Sequence, residues 1–215
     1  MTSERSLRDA TLVQLRPGYL DRAAQEAVLA AIEDVLRQAP WYTPRMPRSG
    51  KQFSVRMTNC GPLGWVSDEN GYRYQRAHPE THRPWPPIPD IVCKAWEDLS
   101  GYPHPPEACL VNFYRPMTKM GLHQDRDEED FSAPVVSLSL GDTCLFRLGG
   151  LRRGDKTRSF NLASGDALVL GGASRLAFHG VDRIIAGTST LLRDGGRINL
   201  TLRRVRRPDN DRPQT

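Results

Sequence analysis

Five histidines are present in the 215 residues, and two of them sit where metal chemistry is feasible. His123 lies in GLHQDRDEED, two residues before Asp125, and His179 closes the run RLAFHG. In an extended segment residues i and i+2 project to one side, so His123 and Asp125 can reach one ion. A third ligand from a later strand, His179, completes one triangular face. Two imidazoles and one carboxylate leave three positions open on an octahedral metal, the arrangement of non-haem iron(II) oxygenases. The other histidines read differently. His78 and His82 have helical ligand spacing, but Pro79, Pro84, Pro86 and Pro87 argue against a helix, so both are expected at the surface, and His104 in a loop.

A metal that activates oxygen needs an electron donor, and a 2-oxo acid chelating iron through its keto-acid end meets that need. The run RINLTLR alternates, with Ile198, Leu200 and Leu202 on one face and Arg197, Asn199, Thr201 and Arg203 on the other. Arg197, Asn199 and Arg203 suit a dicarboxylate gripped by charge-assisted hydrogen bonds. Asn112 and Tyr114, also two apart, offer neutral donors.

The elements that must position these residues follow from periodicity. A helix is expected over 21–40 and a second over Pro89–Ser100, with Pro89 in its first turn and Gly101 as its cap. Residues 1–20 carry little pattern, and Trp41–Pro87 reads as irregular, which suits a binding surface. Beyond it, strands are expected at Cys109–Arg115, Val135–Leu140, Cys144–Leu148, Thr157–Leu162, Asp166–Leu170, Arg175–His179 and Arg197–Arg204. The fold expectation is α+β, a double-stranded β-helix (jelly roll) core with N-terminal helices. The corresponding division is an extension at 1–20, helical support at 21–108, core at 109–205 and a basic tail at 206–215.

Composition narrows the setting. No apolar run approaches the ~20 residues of a membrane span, and no secretory signal is expected from the polar MTSERSLRDA start. The four cysteines are widely spaced with no CxxC pair, which speaks against a structural zinc or a disulfide frame and for a cytoplasmic location. Of the 30 basic residues 26 are Arg, and residues 193–215 hold seven Arg against three Asp. Codon bias in a GC-rich genome and a polyanionic partner both explain such a balance.

Longer segments carry a resemblance. MTNCGPLGW (57–65), GYRY (71–74), RPWPPIP (83–89), EACLVNFY (107–114), LHQDRDE (122–128), APVVSLSLG (133–141), GGLRR (149–153), SRLAFHG (174–180) and RINLTLR (197–203) stand in the order found in the AlkB family of iron(II)- and 2-oxoglutarate-dependent nucleic-acid dealkylases, which the chain closely resembles. The resemblance implies Fe(II), with 2-oxoglutarate and O2 as cosubstrates. It implies His123, Asp125 and His179 as metal ligands, and Asn112, Tyr114, Arg197, Asn199 and Arg203 around 2-oxoglutarate. It further implies that Trp65 and His123 sandwich a flipped base, that Asp127 reads an exocyclic amino group, and that Met57, Tyr72, Arg73, Tyr74 and Arg153 line the backbone track and a nucleotide-recognition lid, which shares 21–108 with the helical support. The implied partner is alkylated single-stranded DNA, with double-stranded DNA or RNA as further candidates, and a monomer acting away from membranes. Departures are Leu170, where the typical bacterial member has tryptophan, Arg73 in place of an apolar residue, and the poorly matched stretch Arg45–Phe53. RVRR (204–207) reads as either a solvated tail or a phosphate contact. Two rivals stand beside this reading: a hydroxylase of protein or small metabolites, and a non-catalytic single-strand binding module.

Overall fold

The computed structural model describes residues 13–208. Residues 1–12 and 209–215, which include the ends of the expected extension and basic tail, lie outside the described residues.

Two antiparallel sheets face each other. The larger has six strands, ordered β1 (Val13–Arg16), β10 (Ala167–Leu170), β7 (Val135–Gly141), β12 (Arg197–Arg203), β5 (Ala108–Tyr114) and β2 (Arg56–Cys60). The smaller has four, ordered β6 (Met120–His123), β11 (His179–Ile185), β8 (Thr143–Leu148) and β9 (Arg158–Leu162). A separate hairpin pairs β3 (Gly64–Asp68) with β4 (Gly71–Gln75). Two facing antiparallel sheets are what a jelly-roll core requires.

Helix α1 (Arg22–Gln38) starts at Asp21, whose Oδ1 accepts the Ala24 amide at 2.8 Å. Such a cap contributes about 1 kcal/mol. Helix α2 (Asp90–Ser100) ends on Gly101 at φ 60°, the left-handed stop glycine tolerates best. Both helices cover the outer face of the larger sheet: Val28, Ile32, Val92 and Trp96 share one apolar cluster with Val136, Leu138, Leu200 and Leu202. A second cluster lies between the sheets and joins Leu110, Tyr114 and Val135 to Phe146, Leu148 and Val181. The period-two alternation of β12 thus divides its side chains between a helix-covered layer and the interior. No described helix is long and apolar enough to cross a membrane.

Several expectations need correction. Trp41–Pro87 is not irregular, since it holds β2, β3 and β4, and β1 falls within the first twenty residues. Both β1 and β2 join the larger sheet, so residues ahead of position 109 form part of its edges. Arg175–His179 is not a strand. A short 3-10 turn at Gly172–Ser174 continues into turns, Ala177 N donating to Ser174 O, and β11 starts where a strand was expected to end. His78 is fully buried, not at the surface, because its ring is needed inside: Nε2 lies 2.8 Å from Pro40 O, while Nδ1 accepts the Glu80 and Thr81 amides. His82 is exposed, and His104 lies outside the regular elements, as expected.

Candidate metal and cosubstrate site

Strand β6 runs beside β11, with His179 opposite His123. The approach is close enough to require Gly180, where a Cβ would meet Met120 O at 2.6 Å and Gly121 O at 2.9 Å. The chain leaves β6 and turns Asp125 toward the same point. His123 Nε2 and His179 Nε2 lie 3.9 and 3.7 Å from the Asp125 carboxylate oxygens, and one ligand atom from each residue falls within 4.8 Å of the others. His123 Nδ1 lies 2.9 Å from Gly121 O and His179 Nδ1 3.0 Å from Ala177 O. Donation from both Nδ1 atoms leaves both Nε2 lone pairs free to face one ion. The donor set therefore fits a divalent metal.

Charge is arranged to the same end. Burial alone raises the Asp125 carboxyl, but the Arg203 guanidinium, then His179 and His123, reverse this and hold it well below the usual carboxylate range. Burial, and next the neighbouring His123, push the His179 imidazole down to about 4, keeping it neutral. A carboxylate and a neutral imidazole are the forms that bind metal.

Beside this triad a cavity of about 60 Å³ opens between the sheets, lined among others by Asn112, Tyr114, Leu170, Arg197 and Asn199. Arg197 is 1% exposed and spends three N–H groups on Asp142 O, Leu162 O and Ser139 Oγ. Among the described residues neither its Nε nor Asn112 Oδ1 has a hydrogen-bond partner, whereas Arg203 Nε faces Glu128 Oε1 at 3.5 Å. An orphaned buried polar group costs about 1–3 kcal/mol, and Arg197 and Asn112 border one cavity. The free edge of Arg197, Nε with one Nη2 hydrogen, is the fork that takes a carboxylate. These residues thus fit a small dicarboxylate.

Other expected residues are placed differently. Both amide hydrogens of Asn199 are used on Ser137 Oγ and Leu138 O, so it props the wall and is not a free donor. Arg203 is committed to Asp125 Oδ1 at 2.8 Å and to the Tyr74 hydroxyl at 3.2 Å, and so serves the metal-ligand carboxylate. Tyr114 makes only a 3.7 Å contact from its hydroxyl to Met120 Sδ.

The hairpin stands next to the triad. Trp65 Nε1 donates to Asp127 Oδ2 at 2.8 Å, two residues beyond Asp125, and its indole stacks on Tyr72 with centroids 5.6 Å apart. Tyr72 is half exposed. Arg153 is exposed, and its Nη1 donates to Leu122 O on β6. Three further residues expected in the lid are placed as follows. Met57 is 1% exposed inside the second apolar cluster, beneath the site. Tyr74 turns its hydroxyl inward, where it donates to Glu128 Oε1 and accepts from Arg203 Nη1, while Arg203 Nε faces the same carboxylate at 3.5 Å. Arg73 is held along the hairpin by a two-pronged pair with Asp68 at 2.7 and 2.8 Å. The RVRR stretch is largely occupied: Arg204 is 3% exposed, and Arg206 and Arg204 pair with Glu107.

Sequence reasoning missed a buried brace. Arg175, 2% exposed, donates to Asp125 O at 2.7 Å, Ala133 O at 2.8 Å and Glu128 Oε2 at 3.0 Å. Gln124 Nε2 adds a bond to Leu176 O at 2.6 Å. The segments carrying Asp125 and His179 are thereby tied together. Asn59 and Tyr42 were also missed: Asn59 pairs with both the N–H and C=O of Trp65, and the Tyr42 hydroxyl donates to the same carbonyl at 2.8 Å. The available signals were a lone Arg inside the apolar run before His179, and an Asn in a strand-like run before Gly-Pro.

Residues 13–203 match the family model for the 2OG-Fe(II) oxygenase superfamily. The chain is 55% identical over 190 residues to an alpha-ketoglutarate-dependent dioxygenase AlkB homolog of Caulobacter vibrioides, covering 88% of this chain and 86% of the relative. The chain belongs to the AlkB family of this superfamily. The Escherichia coli AlkB is 43% identical over 186 residues, 85% of each chain. The solved structure of OsALKBH1 superposes with a TM-score of 0.76 at 32% identity, covering 89% of this chain and 96% of that one. The AlkB family membership brings with it Fe(II) and the cosubstrates 2-oxoglutarate and O2, and His123, Asp125 and His179 form the cluster suited to the metal.

Proposed function

We propose that the protein repairs alkylated nucleic acid by oxidative demethylation of N-methylated bases such as 1-methyladenine and 3-methylcytosine. One N-methyl group, one 2-oxoglutarate and one O2 become the N–H base, formaldehyde, succinate and CO2. The observation that carries this reading is the Trp65–Asp127 pair beside the His123–Asp125–His179 cluster, an aromatic plane and a carboxylate set next to a metal site.

In this reading the three clustered residues hold Fe(II), which when bound supplies the oxidising chemistry at the methyl carbon. The chain does the rest. Arg203 keeps Asp125 charged and aimed, and the free edge of Arg197, with Asn112 beside it, grips the cosubstrate. Apolar walls from Leu110, Leu168 and Leu170 keep bulk water from the cavity. Trp65 replaces the stacking that a base loses on leaving its strand, worth ~1–3 kcal/mol. Asp127 accepts from the exocyclic amino group of adenine or cytosine and attracts a cationic adduct. A methyl on the pairing edge already weakens the pair, so a damaged base flips more easily. The hairpin β3–β4 serves as the nucleotide-recognition lid and residues 109–205 as the core, in a cytoplasmic monomer working on single-stranded DNA, with duplex DNA or RNA as further substrates.

The test is succinate release from 2-oxoglutarate by the Fe(II)-loaded protein. Stimulation by a methylated single-stranded oligonucleotide, and not by its unmethylated twin, is expected. Equal release with both oligonucleotides contradicts the reading and points to a hydroxylase of another substrate.

A further inference from the structure

The turn joining β5 to β6 carries Arg115, Pro116, Met117, Thr118 and Lys119. Thr118 N donates to Arg115 O at 3.0 Å, and Met117 sits at φ 72°. Pro followed by a left-handed residue is the turn that favours glycine at its third position. Methionine there carries backbone strain that glycine would not. Nothing among the described residues offsets it, because Met117 is 96% exposed. A flexible apolar side chain is thus held in water, on a strained and hydrogen-bonded turn, where a smaller residue would be more stable.

The surroundings indicate what it meets. Arg115 and Lys119 are exposed on either side, and among the described residues no carboxylate pairs with either. Lys119 O accepts the Ser54 hydroxyl at 3.1 Å, and the neighbouring Phe53 ring stands edge-on to Trp65 at 6.4 Å. Directly after the turn, β6 begins at Met120 its run to His123, with Arg153 bonded to Leu122 O. The turn with its exposed cations and apolar tip is thus tied through Ser54 to the segment whose Phe53 packs on the stacking tryptophan.

We propose that Met117 is a wedge that enters the base stack beside the flipped nucleotide, with Arg115 and Lys119 on the adjoining phosphates. Apolar side chains inserted between base steps unstack and kink a duplex, and flanking cations hold the backbone while they do so. The wedge fills the space the extruded base leaves and favours capture from double-stranded DNA. The inference rests on the repair reading above.

The test compares the parent with Met117→Gly and Met117→Leu, each loaded with Mn(II) and 2-oxoglutarate. The probe is a duplex carrying one 1-methyladenine beside 2-aminopurine. The parent and the Leu variant are expected to raise 2-aminopurine emission as its stacking is lost. The Gly variant is expected to leave emission low and to bind the duplex about fivefold to tenfold more weakly, while melting at a higher temperature than the parent. Demethylation by the Fe(II)-loaded Gly variant of a methylated trinucleotide, which has almost no stack to enter, should match the parent. A Gly variant with parental duplex affinity and emission overturns the wedge alone. A parent that binds no methylated oligonucleotide overturns the repair reading and the wedge together.

Discussion

At the scale of single residues the site depends on charges that are buried but matched. Arg175 and Arg203 face Asp125 and Glu128 with almost no access to water, and each guanidinium is aimed by more than one bond. Removing one member of such a set leaves another charge uncompensated. Arg175→Gln is expected to weaken metal binding by about 10–100-fold, the usual cost of losing a residue that orients metal ligands. Titration of the metal-free protein with Mn(II) measures this, and an unchanged affinity contradicts the brace. Arg197→Lys removes the planar fork while keeping the charge. Its KM for 2-oxoglutarate should rise by roughly tenfold or more, since a charge-assisted hydrogen bond contributes about 1.5–3 kcal/mol, with metal affinity unaltered. Much of this scale was legible beforehand: His123, Asp125 and His179 converge, and Arg197 lines a cavity with donors to spare. Arg175 and Glu128 were not, because an Arg in an apolar run and an acid in DRDEED look like surface charge until the fold buries them. The surroundings of Met57 and Asn199, an apolar cluster for one and Ser137 and Leu138 for the other, were not legible either, since residue type alone does not give a side chain's neighbours.

At the scale of elements two close approaches govern the site. Strand β6 reaches β11 only because Gly180 has no side chain. Gly180→Ala must push the Met120–Gly121 backbone away and carry His123 with it. The variant should lose metal affinity and several degrees of melting temperature; parental values for both would mean that β6 yields without cost. The hairpin β3–β4 has its own lock in Asp68 and Arg73. Hydrogen bonds from Arg73 draw the Asp68 carboxyl down from 3.8 to about 2. A depressed acid contributes stability above its unfolded value, and this is lost as pH falls through about 2. Hydrogen exchange of the β3–β4 amides should therefore quicken, relative to the intrinsic rates, between pH 4 and 2, by little because the pair is partly exposed. Asp68→Asn should remove that dependence, and a variant with the parental pH response would sink the argument. Strands β5, β7, β8, β9, β10 and β12 were readable from alternation and turn residues. The hairpin was not, because GWVSD and GYRYQ are short, rich in polar residues, and paired with each other in a sheet of their own. His179 was placed at the wrong end of its strand because RLAF has the apolar content of a strand, while Arg175 and the 3-10 turn before it bend the chain.

At the scale of the whole molecule, one sheet covered by helices and a second facing it leave an interior with apolar walls, with Arg197 at one end of β12 and the Arg203–Asp125 pair at the other. That arrangement suits a small dianionic cosubstrate held between the two. The most direct test of this account is the mass of the product after turnover. A single-stranded oligonucleotide with one 1-methyladenine would be incubated with the protein, Fe(II), 2-oxoglutarate, ascorbate and air. The account predicts a product lighter by one methyl group replaced by hydrogen, formed only when 2-oxoglutarate is present and absent with Asp125→Ala. An oligonucleotide of unchanged mass, while 2-oxoglutarate is still consumed, would contradict it.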